Sequence, residues 1–121
     1  MGSAVERFVL YHNPACSQSR GAQAILGERG VDVEVVEYLK APPDRATLAR
    51  ILDAIPDPPA DLVRKDKRFA ELALRAEDHT TREAVIALLL QHPELMQRPV
   101  VFRGARAIIA RPSEKVLELL G

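Results

Sequence analysis

Cysteine is almost missing from this chain: Cys16 is the only one in 121 residues. A single cysteine closes no internal disulfide, which points to a reducing compartment. Excess charge is missing as well, since 17 basic residues balance 17 acidic ones. Such a chain is not built for non-specific binding to nucleic acid or to a membrane surface. No run approaches the ~18 apolar residues that a membrane span needs. Residues 1–20 hold Glu6, Arg7 and His12 and no long apolar core, so no signal peptide is expected. The expected location is the cytoplasm. One cysteine and three scattered histidines offer no ligand spacing for a metal, and none is expected. Gly27, Gly30 and Gly104 read as turn and helix-end residues rather than a phosphate loop. No Ser-His-Asp set is visible.

What remains is ordinary for a soluble globule: 47% hydrophobic and 28% charged residues. The length fits one domain, residues 1–121, with a core large enough to need no staples. Phe8-Val9-Leu10 reads as a buried strand within residues 7–12. A helix follows over 17–29, with Ala22, Ile25 and Leu26 near helical spacing and a stop at Gly30. The alternating, β-branched stretch 31–38 predicts a second strand. Strand, helix and strand with short links make a parallel βαβ unit.

Pro42 and Pro43 interrupt the chain, and Asp44 is placed to cap a helix whose apolar face is Leu48, Ile51, Leu52 and Ile55. Short helices are expected between Asp61 and Ala76. Thr80-Thr81-Arg82-Glu83 fits a capping box that opens a helix carrying Val85, Ile86, Leu88 and Leu89. Residues 98–103 and 106–110, with Gly104-Ala105 between them, predict a β-hairpin. A last helix opens at Arg111-Pro112-Ser113-Glu114 and carries Val116, Leu117, Leu119 and Leu120.

Cys16 therefore falls where a strand ends and a helix begins. Unpaired N–H groups and the positive end of the helix dipole favour its thiolate, which is the nucleophilic form. The same N–H groups can cradle an oxyanion. A buried core cysteine is the plain alternative; the strand–loop–helix context points to a reactive thiol. His12, at the strand end, is either a satisfied polar group or a tuner of Cys16. A protonated imidazole there would lower a thiol pKa. Arginines such as Arg45, Arg50, Arg75 and Arg82 read as solvated helix faces.

A βαβ half followed by helices and a ββα half, with the thiol after the first strand, is the thioredoxin-type arrangement. The expected fold class is α/β: a mixed four-stranded sheet flanked by helices, with a helical insert between the two halves. The segment Tyr11-His12-Asn13-Pro14-Ala15-Cys16-Ser17-Gln18-Ser19-Arg20 resembles the active-site signature of the glutaredoxin-coupled, ArsC-type arsenate reductases. Leu62-Val63-Arg64-Lys65, the stretch 91–99 and Arg111-Pro112-Ser113-Glu114 match that family in order and spacing. The resemblance implies that Cys16 is the nucleophile, aided by His12, and that Arg64, Arg98 and Arg111 bind the oxyanion. Asn13, Ser19 and Arg20 would support the active-site loop, with Ser19 where a CxxC protein has its second thiol. Pro99 would be the cis-proline. Asp66 stands where a neutral polar residue is expected.

The implied reaction is arsenate reduction with glutathione as co-substrate, glutaredoxin as partner and no bound cofactor, carried out by a monomer. Arginine suits such a substrate because its planar guanidinium binds tetrahedral oxyanions as a fork. A chain with one thiol cannot resolve its own intermediate, so the reductant must come from outside. Two other readings stand beside this one. The first is an Spx-like redox regulator that binds RNA polymerase, although those generally carry CxxC where this chain has Cys16-x-x-Ser19. The second is an ArsC-like thiol oxidoreductase with another substrate. The sequence separates it from the arsenate reading only through the three arginines.

Overall fold

The computed structural model describes residues 7–120. Met1-Gly2-Ser3 and both extreme ends of the expected 1–121 domain lie outside the described residues. The described chain groups into two compact units, one of residues up to 37 and from 98 onward, the other of residues 38–97.

The first unit holds the whole sheet. Strand β1 (Phe8–His12) is its hub. It pairs in parallel with β2 (Val33–Glu37) and antiparallel with β3 (Val100–Arg103), which pairs antiparallel with β4 (Arg106–Ile109). The order is β2-β1-β3-β4. Register sets Leu10 opposite Val101, and Val101 opposite Ile108, so one apolar row crosses three strands. Helix α1 (Ser17–Glu28) makes the parallel crossover and lays Ala22 and Leu26 on that row. Val116 and Leu119 complete the same core from the C-terminal end. The opposite face of the sheet carries Tyr11 and Phe102, with ring centroids 6.0 Å apart in an edge-to-face pair.

Helix α1 stops where its sequence says it should. Gly30 takes φ +70°, donates its N–H to the Gly27 carbonyl, and lets Val31 reach back to the Leu26 carbonyl at 3.0 Å. That closure absorbs Val31, so β2 begins at Val33, two residues later than the alternation over 31–38 suggests. Gly104 turns the β3–β4 hairpin at φ +60°.

The second unit is helical, as expected of the insert. Helix α2 (Arg45–Ala54) is capped by Asp44, whose carboxylate accepts from the Thr47 N–H at 2.8 Å. The short α3 (Lys67–Glu71) is capped by Asp66, and α4 (Arg82–Gln91) packs on α2. Single 3-10 turns at Pro59–Leu62, Ala76–Asp78 and Pro93–Leu95 link them. The cap of α4 is Thr81, which accepts from the Ala84 N–H at 3.2 Å, so the box expected from Thr80 does not form. Glu83 then sits one position too early to reach back, and it pairs instead with Arg45 at 2.9 Å. The last helix is also shorter than its apolar spacing suggests: a 3-10 turn over Ser113–Val116 precedes α5 (Leu117–Leu120). The fold is α/β, a mixed four-stranded sheet flanked by helices.

Two glycines of α1 make opposite predictions. A Cβ on Gly27 would meet nothing within 4 Å, whereas one on Gly21 would lie 2.3 Å from Ser113 Oγ and 2.9 Å from its Cβ. Gly27→Ala is expected to stabilise by roughly 0.5–1 kcal/mol, through helix propensity alone. Gly21→Ala gains the same propensity but overpacks a buried contact, an effect of about 1–3 kcal/mol in the other direction. Urea-unfolding midpoints check this; a Gly21→Ala midpoint above that of the parent would contradict it.

Candidate active site

Cys16 is the N-cap residue of α1, in extended backbone conformation at φ −98° and ψ 124°. Its sulfur is partly exposed and disulfide-free. The loop before it is rigid for a local reason. The Cys16 N–H donates to the Asn13 carbonyl at 2.9 Å, and Asn13 Oδ1 accepts from the Ala15 N–H at 2.9 Å. Arg20 Nη1 ties down the Pro14 carbonyl at 2.8 Å. Asn13 and Arg20 thus hold the loop rather than the sulfur.

Two arginines address the sulfur. Arg111 Nη1 lies 3.5 Å from Cys16 Sγ and donates to the Arg98 carbonyl at 3.0 Å. The Arg98 guanidinium also favours the ionised form of the sulfur. Both arginines precede a proline, and both the Arg98–Pro99 and Arg111–Pro112 bonds are cis. Only the first is expected from the sequence. Burial works against ionisation of Cys16 and is the largest single influence. It is outweighed by the Ser19 N–H, the Arg98 guanidinium, the Gln18 N–H and the Arg111 guanidinium together. The thiol is therefore held below its ordinary pKa, so its ionised fraction at neutral pH rises. An iodoacetamide rate–pH profile of Cys16 is expected to have its midpoint below the ~8.5 of a free thiol. A midpoint at or above that value would show that burial wins.

His12 works differently from the charged tuner considered above. It is buried, and Nδ1 lies 2.7 Å from Ser19 Oγ. Burial, chiefly, lowers its pKa; Glu37 opposes this and Arg20 adds to it. The imidazole is therefore neutral at pH 7, and its link to the sulfur runs through Ser19. That hydroxyl also accepts the Asn13 N–H at 3.0 Å, and the Ser19 N–H is among the groups that favour the thiolate. Ser19, fully buried, fills the second-thiol position with a hydrogen-bonding hinge.

The first unit thus brings together Cys16, His12, Asn13, Ser19, Arg20, Arg98, Pro99 and Arg111. Arg64 stands in the helical unit. There its Nε donates to Asp66 Oδ2 at 3.1 Å and its Nη1 approaches Gln97 Oε1 at 3.4 Å. Of five guanidinium donors this leaves three for a ligand. Asp66, the residue out of pattern, caps α3 with one oxygen and holds Arg64 with the other. Two residues of the site escape the sequence. Gln18 and Ser113 meet through side chain and backbone, with the Ser113 N–H donating to Gln18 Oε1 at 2.8 Å. Only the motif at 111–114 flags Ser113, and nothing flags Gln18. No group of three or more metal-ligating side chains occurs among the described residues. None of their helices is long and apolar enough to cross a membrane.

A lone thiol at a helix start, faced by two guanidinium groups and two amides, can attack or bind a tetrahedral anion. Comparison with known proteins agrees with that chemistry. The ArsC family model matches residues 11–119. The chain is 43% identical over 114 residues to the uncharacterized protein YfgD of Escherichia coli K12, covering 93% of this chain and 95% of that protein. It is 36% identical over 117 residues to an arsenate reductase of the same organism, covering 96% of this chain and 82% of the relative. Among solved structures, an arsenate reductase from Vibrio cholerae superposes with a TM-score of 0.84 at 32% identity, covering 94% of this chain and 98% of that one. A match over nearly the whole length, with the thiol and its two arginines inside it, places this chain in the ArsC family.

Proposed function

We propose that this protein reduces arsenate to arsenite through a covalent adduct on Cys16. The single observation that carries the reading is the Cys16 sulfur at the start of α1 with Arg111 Nη1 at 3.5 Å. The Cys16 thiolate attacks arsenic, forming a sulfur–arsenic bond and expelling one oxygen as water or hydroxide. Glutathione thiolate then attacks the Cys16 sulfur. The sulfur–arsenic bond breaks with its electron pair left on arsenic, which becomes trivalent, and a Cys16–glutathione disulfide remains. Glutaredoxin removes the glutathione and returns the thiolate. The arginines neutralise the oxyanion and keep it against the nucleophile. Arg64 is included in this anion set in the proposal on the strength of its motif alone. The reading includes a cytoplasmic monomer with no bound cofactor, and no nucleic-acid or membrane partner.

NADPH oxidation in a mixture with glutathione, glutaredoxin and glutathione reductase tests this directly. Turnover is expected to depend on arsenate. Turnover that is the same with and without arsenate would overturn it. A second reading is an ArsC-like thiol oxidoreductase with another substrate; glutathione-dependent turnover of a disulfide that does not respond to added arsenate would favour it.

A further inference from the structure

Gln18 and Ser113 lie 95 positions apart in the chain, yet their polar atoms close three contacts. Besides the Ser113 N–H on Gln18 Oε1, the Ser113 hydroxyl donates to the Gln18 carbonyl at 2.7 Å and lies 2.9 Å from Oε1. An N–H pointing at the amide group requires the oxygen there, so the orientation of Gln18 is settled by its partner. Ser113 is buried, and nothing but hydrogen stands on Gly21 to keep the two segments apart.

These contacts matter because of what lies on either side. Gln18 is in the first turn of α1, two residues after Cys16, and its own N–H favours the thiolate. Ser113 is two residues after Arg111. The guanidinium of Arg111 is anchored at its tip on the Arg98 carbonyl. Its main chain is anchored on α1 through Ser113. The contact between Arg111 and the sulfur, at 3.5 Å, is an ordinary nitrogen-to-sulfur hydrogen-bond distance, and it holds only while the loop keeps the guanidinium there.

We propose that Gln18 and Ser113 are positioning residues that clasp the Arg111 loop to helix α1 and so hold the Arg111 guanidinium at the Cys16 sulfur. The proposal rests on the reading of Cys16 as the nucleophile. It deepens that reading by naming two side chains that act on the sulfur through Arg111 rather than by contact with it.

The test uses iodoacetamide alone, so it stands whether or not arsenate is the substrate. With one thiol in the chain, the alkylation rate reports only Cys16. Rate–pH profiles are compared for the parent, Gln18→Leu, Ser113→Ala, Arg111→Ala and the double variant Gln18→Leu/Arg111→Ala. Gln18→Leu should slow alkylation at pH 7 by about three- to tenfold and move the midpoint upward, as loss of a stabilising charge does. The double variant should behave like Arg111→Ala alone, since the clasp acts through that arginine. A merely structural role would lower the melting temperature and leave the profile in place. Single-variant profiles that coincide with the parent's would overturn the proposal. So would a double variant whose slowing is the product of the two single effects. If Gln18→Leu does not fold, Ser113→Ala and its double variant with Arg111→Ala carry the same comparison, because Ser113→Ala deletes only a hydroxyl.

Discussion

A Cys16→Ser protein is expected to fold as the parent does and to lose arsenate-dependent turnover to the buffer background, a drop of about 10⁴-fold or more. The thiol is the only sulfur nucleophile in the chain, so no neighbouring cysteine can substitute for it. A serine hydroxyl in the same place would have to ionise far above neutral pH, and the two amides and two arginines that favour the thiolate cannot close that gap. The measurement is the coupled NADPH assay, with circular dichroism to confirm the fold. Arsenate-dependent oxidation above background in Cys16→Ser would rule out covalent catalysis at this position.

The arginines should give the next largest effects. Arg98→Ala or Arg111→Ala is expected to lower kcat/KM for arsenate by about 10²–10³, since each removes a charge-assisted contact worth roughly 2–4 kcal/mol. Lysine at either position should rescue only in part, because a point charge cannot reproduce a planar fork. Alkylation of Cys16 at a pH high enough to ionise it fully should proceed at the parent's rate, which separates loss of anion binding from loss of the nucleophile. Arg64→Ala is expected to weaken arsenate use as well, and it also strands the Asp66 carboxylate that Arg64 now accompanies. If all three alanine variants reduce arsenate as well as the parent, the arsenate reading falls and the family assignment alone remains.

Much of this was legible in the residues, and the exceptions have physical reasons. The place of Cys16 follows from a short apolar run meeting a helical period, because both signals are local. The stop at Gly30 and the cap at Asp44 are equally local, and both form as expected. The cap of α4 slipped by one residue because Thr80 and Thr81 are adjacent and equivalent in sequence. The structure prefers the register in which Thr81 reaches the Ala84 N–H and Glu83 reaches Arg45. The shortened last helix reflects Pro112, after which the chain winds as a 3-10 turn before Leu117. His12 was left between a satisfied polar group and a charged tuner, and burial, which cannot be seen in a sequence, favours its neutral form. Gln18 and Ser113 were invisible for the opposite reason. Each is an ordinary polar residue alone, and their meaning lies in a contact across 95 residues.

The first helix carries one more consequence. Its cap position is filled by a thiol, where a hydroxyl, carboxylate or amide is the usual choice, and its first turn has no acidic side chain. Serine, aspartate or asparagine there would be the choice of a protein built only to last, by about 0.5–2 kcal/mol. A directed-evolution campaign that ranked clones by heat resistance alone would therefore be drawn to replace Cys16, and would select a sturdier chain with no chemistry left in it.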